Sequence, residues 1–396
     1  LYLGSSHQTR LTCNADGNSK FVGIVTATEF VPTVTQLSHK NLIINGACRV
    51  AQRGTSSSSA GYKTVDRFKL GFGGTDEAPT QYQGTLTSGL APYAEGFRNV
   101  FYIVNGNQTG GAGTSDYVEI QHKIEAGDIA NSGWEYTSSS SFITLSFWVK
   151  SSVTQNFYGF VFSADGTAQR YIFETGTISA NSWNKVVVTI PGGSNVTFDD
   201  NAEEGLIIKW IPFYGTDLTN NSATVGSWAN YNGGARTPDN TSTWYTTDNS
   251  TFWLTGIQLE VGSQATPFEH RTFGDELKRC QRYYQTLPSA LYIIRGSQSI
   301  SYSNAPLQTS FTLPEPMRAN PTASNYDDGG STITVTYYDA SYGSATNYEA
   351  HIGSNILNGV VRFQLGHNQA NNSNTPLSTT YKWGVSSNSI AFDSEL

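Results

Sequence analysis

The alternation of apolar and polar residues is clearest in residues 251–271, TFWLTGIQLEVGSQATPFEHR. Its large apolar residues are spaced as on one face of a β-strand: Phe252, Leu254, Ile257 and Leu259. The phase of the alternation changes once, at Gly256, where we predict a β-bulge. Gly262 and Pro267 end the run. We therefore predict that this segment is the last strand of a large β domain.

A second apolar run closed by glycine, residues 41–54, lies far upstream, and we interpret it as the first strand of the same domain. Between the two runs, strands are predicted at 66–72, 100–104, 117–120, 142–149, 157–162, 169–173, 183–190 and 206–213. Loops rich in Gly, Ser, Thr and Asn separate them. Regularly spaced strands without helices predict a jelly roll or β-sandwich over residues 41–273. Residues 118–125 fit either a short helix or a strand.

The segment at residues 274–285 has a different period. Its apolar residues fall on one helical face: Leu277, Cys280, Tyr283 and Tyr284. Asp275 and Glu276 lie in the first turn and basic residues follow, an arrangement that suits the helix dipole. We predict a short connector helix here, with its basic residues on a solvated or inter-subunit face.

The regions that flank this core are also rich in strand patterns. Residues 286–396 return to alternation, with strands predicted at 290–294, 309–313, 332–338 and 360–365, and we predict a smaller distal β-sandwich. Residues 1–40 form a β-rich lead-in that is too sparse in large apolar side chains to bury a core alone. A homotrimeric stalk would supply the missing partners, and a disordered tail is the alternative.

Composition supports an all-β fold class. Only 14% of residues are charged, against roughly 25% in ordinary soluble domains, and 39 Gly, 22 Tyr and 20 Phe favour short strands and turns over long helices. The net charge of −8 argues against a nucleic-acid partner. No apolar run approaches the ~20 residues that span a bilayer, so we predict no membrane insertion. Because the chain begins at Leu1 and its one methionine is Met317, we expect a fragment or a processed product.

No motif in the sequence predicts catalysis, a metal or a cofactor. Cys13, Cys48 and Cys280 are too widely spaced for a disulfide framework or a metal knuckle, and we predict buried free thiols. The six histidines are scattered, and neither a nucleophile elbow nor a phosphate-binding loop occurs. Acidic pairs exist, but sequence adjacency says nothing about the carboxylate spacing of about 5–10 Å that a glycosidase needs. We therefore predict no enzyme activity, no metal site and no cofactor.

Three blocks carry a resemblance to a known family: NLIINGACRVAQRGTSSS, YKTVDRF, and FWLTGIQLEVGSQATPFEHRTFGDELKRCQRYYQ. In this order they resemble bacteriophage tail-fibre and other virion structural proteins, notably those of marine and cyanobacterial phages. The lead-in GIVTATEFVPT resembles the segment that often precedes the module in that family. The resemblance covers most of residues 22–284, and it implies a carbohydrate-binding-like jelly roll. Residues 285–396 match only in position, as a variable distal tip.

The resemblance implies a function and partners. It implies a homotrimeric virion adhesion protein that contacts other tail proteins, is located on the extracellular particle, and meets a host surface glycan such as lipopolysaccharide. Many carbohydrate-binding jelly rolls hold a structural calcium ion with an aspartate of the closing strand. Here Leu254, Thr255 and Gly256 occupy that place, so we predict no calcium site.

The best candidate for glycan binding is the loop at residues 227–245. Glycan binding needs aromatic faces together with amides and hydroxyls, and loops carry binding residues disproportionately. The candidate residues are Trp228, Tyr231, Asn232, Arg236, Asp239, Trp244 and Tyr245. The alternative is that Trp228 and Trp244 only fix the loop to the sandwich.

Two further sets of residues have open interpretations. Asp66 and Arg67 are either a structural ion pair at a strand start or a pair with a ligand-facing arginine. Four distal tyrosines are either a receptor-facing surface or cross-strand packing: Tyr337, Tyr338, Tyr342 and Tyr348. For the whole protein, the alternatives to adhesion are a purely structural virion component (fibre segment, collar or decoration protein), a polysaccharide depolymerase, and a secreted bacterial carbohydrate-binding protein.

Overall fold

The computed structural model describes residues 11–13, 19–21, 39–286, 293–295, 307–319, 321–325, 333–338, 346–352, 360–365, 381–385 and 390–396. The chain divides into two compact units, Leu1–Leu37 and Ser38–Leu396. In the first unit, β1 (Leu11–Cys13) pairs antiparallel with β2 (Ser19–Phe21). Most of the other residues of the predicted lead-in, residues 1–40, lie outside the described residues.

The second unit contains a β-sandwich, which confirms the all-β fold class. Its strands are β3 (Ser56–Ser57), β4 (Phe68–Gly73), β5 (Thr80–Thr85), β6 (Asn99–Val104), β7 (Tyr117–Glu125), β8 (Phe142–Ser151), β9 (Gln155–Ser163), β10 (Gln169–Ile178), β11 (Asn184–Pro191), β12 (Glu204–Tyr214), β13 (Trp228–Asn230) and β14 (Thr251–Val261). Short helices α1 (Ala91–Ala94), α2 (Ala126–Ala130) and α3 (Thr243–Thr246) lie in the connections.

These strands form two antiparallel sheets of six strands each. Sheet I has the order β13-β10-β9-β12-β7-β4, and sheet II has the order β11-β8-β14-β6-β5-β3. The chain crosses repeatedly from one sheet to the other, as in a jelly roll. All eight strands predicted between residues 66 and 213 are present within a few residues of the predicted limits, and 117–125 is a strand, not a helix.

The core lies between the two sheets because every second side chain of each strand points inward. Leu145 and Phe147 of sheet II and Ile208 and Trp210 of sheet I are fully buried or nearly so. The Phe147 and Trp210 rings meet edge to face with 5.8 Å between centroids. Burying such side chains stabilises the sandwich by roughly 1.5–3 kcal/mol each.

The predicted bulge in β14 is confirmed at Gly256. The pairing of β14 with β8 shifts register between Thr255 and Gln258, and Gly256 has φ of +62°. A Cβ at this position would lie 2.6 Å from the Phe97 ring. Glycine is therefore required here both by the backbone conformation and by the close approach of an aromatic side chain.

The interpretation of residues 41–54 as the first strand is wrong. This segment follows β14 with isolated hydrogen bonds, such as Leu42 N–H to Leu259 O at 2.9 Å, and forms no ladder. Asn45 and Cys48 have positive φ, which breaks an extended conformation. The Asn41 side chain accepts hydrogen bonds from the backbone N–H groups of Ile43 and Leu259 instead. Local side-chain hydrogen bonds thus replace strand pairing.

The predicted short helix is present as α4 (Phe273–Gln281), but it ends four residues before the predicted limit, because Tyr284 and Gln285 already belong to a strand. Thr272 caps it by accepting a hydrogen bond from Asp275 N–H at 3.2 Å. Its buried side packs Cys280 and the following Tyr283 against Ile44 and Val50. Arg282, just after the helix, forms an ion pair of 2.7 Å with Glu125 of β7. The helix is therefore fixed to the sandwich.

The remaining regular elements of the described chain are also strands. The strands are β15 (Tyr284–Thr286), β16 (Ile293–Arg295), β17 (Leu307–Thr312), β18 (Thr322–Asn325), β19 (Ile333–Tyr338), β20 (Thr346–Ile352), β21 (Val360–Leu365), β22 (Tyr381–Val385) and β23 (Ile390–Asp393). They form a three-stranded sheet, β15-β23-β18, and a six-stranded sheet, β16-β22-β19-β20-β21-β17. Because β15 pairs directly with β23, the chain leaves the sandwich and returns to it at adjacent positions.

His122 makes stability sensitive to acid. It lies on the core face of β7, 4.9 Å from the Phe68 ring, and neither ring nitrogen has a hydrogen-bond partner among the described residues. Burial, together with the nearby Arg67 charge, holds the pKa of His122 well below its usual value. The folded state therefore binds fewer protons than the unfolded state below pH ~6.5, and stability falls as the pH drops through that value.

We expect His122→Leu to remove this acid sensitivity. In the wild type, His122 should lower the free energy of unfolding by about 1.4 kcal/mol per pH unit below pH ~6.5. Urea unfolding of both proteins at several pH values gives the difference in their free energies of unfolding. The contributions of other titrating groups cancel in this difference. One such group is Asp66, whose pKa burial raises to about 6, so that it opposes His122 below that pH. Parallel pH profiles for the two proteins would contradict the assignment.

Candidate functional site

The outer face of sheet I carries polar and aromatic side chains because β7 alternates strictly. Val118, Ile120 and Ile124 point into the core, whereas Tyr117 and Glu119 point away from it. The same alternation places Tyr158, Phe160 and Phe162 of β9, and Lys209 and Ile211 of β12, on this outer face. The outer face is therefore a continuous surface of aromatic and polar groups.

Residues 215–240, here named the covering loop, close part of this face. Leu218, Ala223, Val225 and Tyr231 of the loop form an apolar cluster with side chains of β9, β10 and β12: Phe160, Ile172, Ile211 and Tyr214. The loop is tied down by isolated bridges between Ile172 and Val225 and between Thr219 and Thr237. The covering loop is thus a fixed wall beside the open part of sheet I.

A buried polar network centred on Glu119 lies beside this wall. Lys209 Nζ donates to both carboxylate oxygens, at 3.0 and 3.1 Å. The Tyr214 hydroxyl and the Gln121 amide also donate hydrogen bonds to Glu119. Burial, and then the Glu119 charge, raises the pKa of Tyr214 well above its usual value, so the phenol remains a donor. The network fixes these polar groups in place.

Tyr231 and Arg236 join the covering loop to the network. The half-buried Tyr231 ring packs edge to face on Phe162, with 4.8 Å between centroids. The Arg236 guanidinium lies 5.5 Å from the Tyr214 ring and donates to Gly233 O at 3.1 Å. These two predicted residues meet an aromatic surface and the edge of a polar network, as a binding site for a polar ligand requires.

Arg170 of β10 adds an incompletely satisfied cation to the same place. Arg170 is 5% exposed as a whole residue, and its Nη1 donates to Arg236 O at 3.1 Å. Its Nε has no acceptor within the described part of the chain, and no ion pair involves it there. Burial lowers the pKa of Arg170. This side chain retains unused capacity to donate a hydrogen bond.

Asn232 and Asp239 lie at the surface of the covering loop. Asn232 Oδ1 accepts from Gly234 N–H at 3.0 Å. The Asp239 carboxylate accepts from Thr219 Oγ1 at 2.9 Å and from Asn221 Nδ2 at 2.7 Å. Asp239 therefore braces the two ends of the loop, whereas the Asn232 amide nitrogen is free of hydrogen bonds to other described residues.

Trp228 does not join Tyr231. It lies on the inward side of edge strand β13, where its ring meets Tyr171 edge to face at 5.6 Å. Its Nε1–H donates to Pro191 O at 2.7 Å. The side chain remains half-exposed at the edge of the sandwich. It therefore fixes β13 against the end of β11, away from the Glu119 network.

The predicted glycan contacts of Trp244 and Tyr245 are wrong for this structure, because both side chains are 0% exposed. The Tyr245 ring stacks on Phe213 with 4.3 Å between centroids, and its hydroxyl donates to Asp116 at 3.0 Å. Trp244 belongs to the main core, and its backbone N–H donates to Gln155 Oε1 at 3.0 Å. Helix α3 inserts both rings into the end of the sandwich.

The polar half of the site was not predicted from the sequence. Glu119, Arg170 and Lys209 are each next in sequence to residues that point into the core. The alternation of each observed strand therefore places these three side chains on the outer face. The period-2 alternation of residues 117–125 was the available signal. Because residues 118–125 fit either a helix or a strand, the outward position of Glu119 does not follow from the sequence. Arg170 and Lys209 lie in predicted strands, but the sequence does not show that these strands are neighbours in one sheet.

The other predicted positions have structural or undescribed surroundings. Asp66 and Arg67 are both buried but do not pair with each other: Asp66 accepts from Gln52 N–H at 3.0 Å, and Arg67 pairs with Glu395. For Tyr337, Tyr338 and Tyr348 only the backbone is described, and Tyr342 lies outside the described residues.

The described residues contain no group of three or more His, Cys, Asp or Glu side chains placed to hold a metal ion. No helix in the described ranges is both long enough and apolar enough to cross a membrane. Cys48 and Cys280 are buried free thiols, and burial is the main cause that raises the pKa of each.

Comparison with known proteins found partial structural similarity only. No protein-family model matches the sequence, and no curated protein matches it. Among solved structures, the enzymatically active domain of tailspike protein 4 of bacteriophage CBA120 is similar, with a TM-score of 0.31 and 12% identity. That match covers 56% of this chain and 21% of the tailspike chain. This chain therefore spans about one fifth of the length of the tailspike structure.

Carbohydrate-binding domains are also among the similar structures. The N-terminal cellulose-binding domain of Cellulomonas fimi β-1,4-glucanase C matches with a TM-score of 0.26 and 10% identity, over 55% of this chain and 99% of that domain. The family 11 carbohydrate-binding module of a Clostridium thermocellum cellulase matches with a TM-score of 0.26 and 12% identity, over 55% and 98% of the two chains. Because these TM-scores lie below 0.5, the similarities do not establish a common function.

Proposed function

We propose that this protein is a bacteriophage tail-fibre or related virion adhesion protein that binds a host surface glycan through the outer face of sheet I. The observation that carries the glycan-binding part is the fixed group of Tyr231, Arg236 and Arg170 beside the Glu119 network. The phage part rests on the sequence blocks that resemble tail-fibre proteins. Both parts of the proposal are compatible with a jelly roll in which the covering loop closes part of the outer face of sheet I.

The chemistry of a sugar fits this surface. The apolar C–H face of a pyranose would lie against the half-buried Tyr231 and Phe162 rings. Its hydroxyls would take hydrogen bonds from Arg236, Lys209 and the Asn232 amide. Because Glu119 and Asp239 already hold these groups or their loop in place, little side-chain freedom is lost on binding. This pre-organisation favours recognition of neutral or mildly acidic glycans.

We further propose an assembly in which weak sites act together. Residues 1–40 would attach the protein to other tail proteins, residues 41–273 would form the binding jelly roll, and residues 274–285 would connect it to a distal β-sandwich, residues 286–396. In a homotrimer on the extracellular particle, three sites share one anchor, so effective concentration raises the overall affinity. Lipopolysaccharide or a similar surface polysaccharide would be the partner.

We expect Tyr231→Ala combined with Arg236→Met to weaken glycan binding by about 2 kcal/mol per site, or about thirtyfold, as for truncation of central Tyr and Arg side chains in interfaces. The measurement is binding of labelled protein to host cells and to their extracted surface polysaccharide. Tyr136→Ala is the matched control, because Tyr136 is also half-buried but packs on Phe198, with 4.9 Å between ring centroids.

The other outcomes of this experiment separate the alternatives. Unchanged binding by the double variant would move the site away from the covering loop. A folded wild type that is incorporated into particles but binds no host polysaccharide would favour a purely structural virion component. Release of reducing ends from the polysaccharide would favour a depolymerase.

A further inference from the structure

The outer face of sheet II carries a row of aromatic side chains that the proposed function does not use. Tyr82 of β5, Tyr102 of β6 and Trp253 of β14 occupy neighbouring strands and stack on one another. The Tyr82 and Tyr102 centroids are 4.8 Å apart with an interplanar angle of 11°, and those of Tyr102 and Trp253 are 4.0 Å apart at 8°. The three rings are half-buried.

Lys150 of β8 ends this row. Its Nζ lies 4.0 Å from the centroid of the Trp253 ring and 5.3 Å from that of Trp183. The Trp183 ring stands nearly perpendicular to the Trp253 ring, at 79°. A lysine ammonium over two indole rings is a favourable cation–π arrangement. It leaves the hydrogen-bonding capacity of the ammonium unused.

The polar atoms at this place are donors without acceptors. Lys150 has no ion pair or hydrogen bond to any described residue. The indole N–H groups of Trp183 and Trp253 are buried and likewise have no acceptor within the described ranges. Burial lowers the pKa of the Lys150 ammonium, as expected for a cation that lacks a counter-charge. Unsatisfied buried donors are uncommon in native proteins, and each calls for an explanation.

The same face contains a second tryptophan–lysine set in which the acceptor is present. Glu95 Oε2 accepts from Trp148 Nε1–H at 3.1 Å, and both of its oxygens accept from Lys185 Nζ, at 3.0 and 3.1 Å. Lys185 Nζ also lies 5.8 Å from the centroid of the Trp148 ring. One carboxylate thus satisfies an indole N–H and an ammonium together. The Lys150 set has the same types of donor, an ammonium over an indole ring and indole N–H groups, but no carboxylate pairs with it among the described residues.

We propose that Lys150, Trp183 and Trp253 form a second binding site, which takes the carboxylate of an acidic sugar such as a uronic acid. The carboxylate would occupy the position that Glu95 holds in the other set. The half-exposed Trp183 and Tyr102 side chains would adjoin the apolar surface of the sugar ring. A local cation without a partner, on a chain of net charge −8, selects for an anionic ligand.

The test compares two oligosaccharides that differ only in the carboxylate. Isothermal titration calorimetry would measure binding of tetragalacturonate and of its carboxyl-reduced form, a neutral galactose tetramer, to the full chain. We expect the uronate to bind at least about tenfold more tightly, and Lys150→Met to remove about ten- to hundredfold of its affinity, the range for loss of a charge-assisted hydrogen bond. Added salt should weaken the uronate binding.

Two variants control for structural effects. Lys185→Met removes the lysine that Glu95 already neutralises, and it should leave uronate affinity unchanged. Trp253→Phe keeps an aromatic ring against Tyr102 but removes one N–H donor, and it should weaken uronate binding more than binding of the neutral tetramer. Thermal unfolding of each variant would show that the fold is retained.

Three results would overturn the proposal: equal affinity for the two tetramers, unchanged uronate affinity in Lys150→Met, and binding of a glutamate-rich peptide as tight as that of the uronate. The last result would indicate a protein partner instead. This site is distinct from the one on sheet I and depends on the proposed glycan binding only for the class of ligand. If the Tyr231/Arg236 double variant loses polysaccharide binding while Lys150→Met leaves uronate affinity unchanged, only the proposal for the Lys150 site is overturned. If Lys150→Met loses uronate affinity while the double variant binds normally, only the proposal for the sheet I site is overturned.

Discussion

Replacing Arg67 with methionine is expected to lower the free energy of unfolding by about 3–5 kcal/mol, the cost of removing one partner from a buried ion pair. Arg67 is 0% exposed, pairs with Glu395 and donates to Lys123 O at 2.7 Å. Its guanidinium lies 3.4 Å from the Tyr283 ring centroid. Methionine would retain much of the packing volume but would supply neither the charge nor the hydrogen bonds.

The conformation of Arg67 strengthens this expectation. Its φ of +72° is a left-handed conformation that costs an L-residue with a side chain roughly 1–2 kcal/mol. The contacts of the guanidinium offset that cost in the native protein, whereas in Arg67→Met the backbone conformation would remain without its compensation. Coulombic interaction with Glu395 is the main effect that raises the pKa of Arg67, against the opposing effect of burial. The arginine therefore remains charged near neutral pH.

Urea unfolding of a double-mutant cycle measures this interaction. Arg67→Met, Glu395→Gln and the double variant should show a favourable coupling energy, because Glu395 loses its counter-charge only in the first variant. Arg53 lies 3.3 Å from Glu395 and limits the loss. Arg98→Met is the control, since Arg98 is exposed and packs on Tyr93 at 3.7 Å. A loss below about 1 kcal/mol for Arg67→Met would show that the pair contributes no more than a surface ion pair.

The Arg67–Glu395 pair also explains how the last residues are held. Asp393 pairs with Arg53 at 3.1 Å, and Lys123 Nζ donates to Leu396 O at 2.9 Å. Together with the pairing of β15 and β23, these contacts fix both ends of the intervening chain to the jelly roll.

Most of the fold could be predicted because local patterns determine it. Period-2 alternation located nine of the eleven strands between residues 66 and 261, whereas β5 and β13 were not predicted. Gly256 marked the bulge in β14 through a change of phase. Residues 41–54 were wrongly predicted to be a strand, because hydrogen bonds from side-chain amides, and not strand pairing, hold their buried apolar residues in place. Asn41 and Asn45 satisfy backbone groups with side-chain amides, and sequence periodicity does not register such hydrogen bonds.

The candidate site could be predicted only in part, since exposure depends on packing between distant segments. Trp228, Tyr231 and Trp244 all lie in one aromatic loop, yet they end at the sandwich edge, on the outer face of sheet I and in the core, respectively. From composition alone, all three aromatic residues were predicted to contact a glycan. The ion-pair partner of Arg67 is Glu395, which lies 328 positions later in the chain. This pair could not be predicted, because the sequence does not state which charged residues meet.

Replacing Trp244 with alanine should lower the free energy of unfolding by about 3–5 kcal/mol, the usual cost of truncating a fully buried tryptophan. The ring is 0% exposed and packs in the main core. The change would also loosen α3, whose neighbouring Tyr245 carbonyl accepts from Asn105 Nδ2 at 2.6 Å. Trp244→Phe, which keeps part of the ring volume, should lose considerably less. Urea unfolding measures both variants.

The comparison with Tyr231→Ala separates stability from binding. Tyr231 is half-buried on the outer face of sheet I, so its truncation should weaken glycan binding at a smaller cost in stability. Trp244→Ala, at temperatures where it remains folded, should bind glycan with an affinity close to that of the wild type. Lost binding with wild-type stability in Trp244→Ala would mean that the loop opens to expose this ring in the bound state. Truncation of Trp244 in the core should thus change mainly the free energy of unfolding, whereas truncation of Tyr231 on the outer face should change mainly the glycan affinity, although both residues are aromatic and lie in one loop.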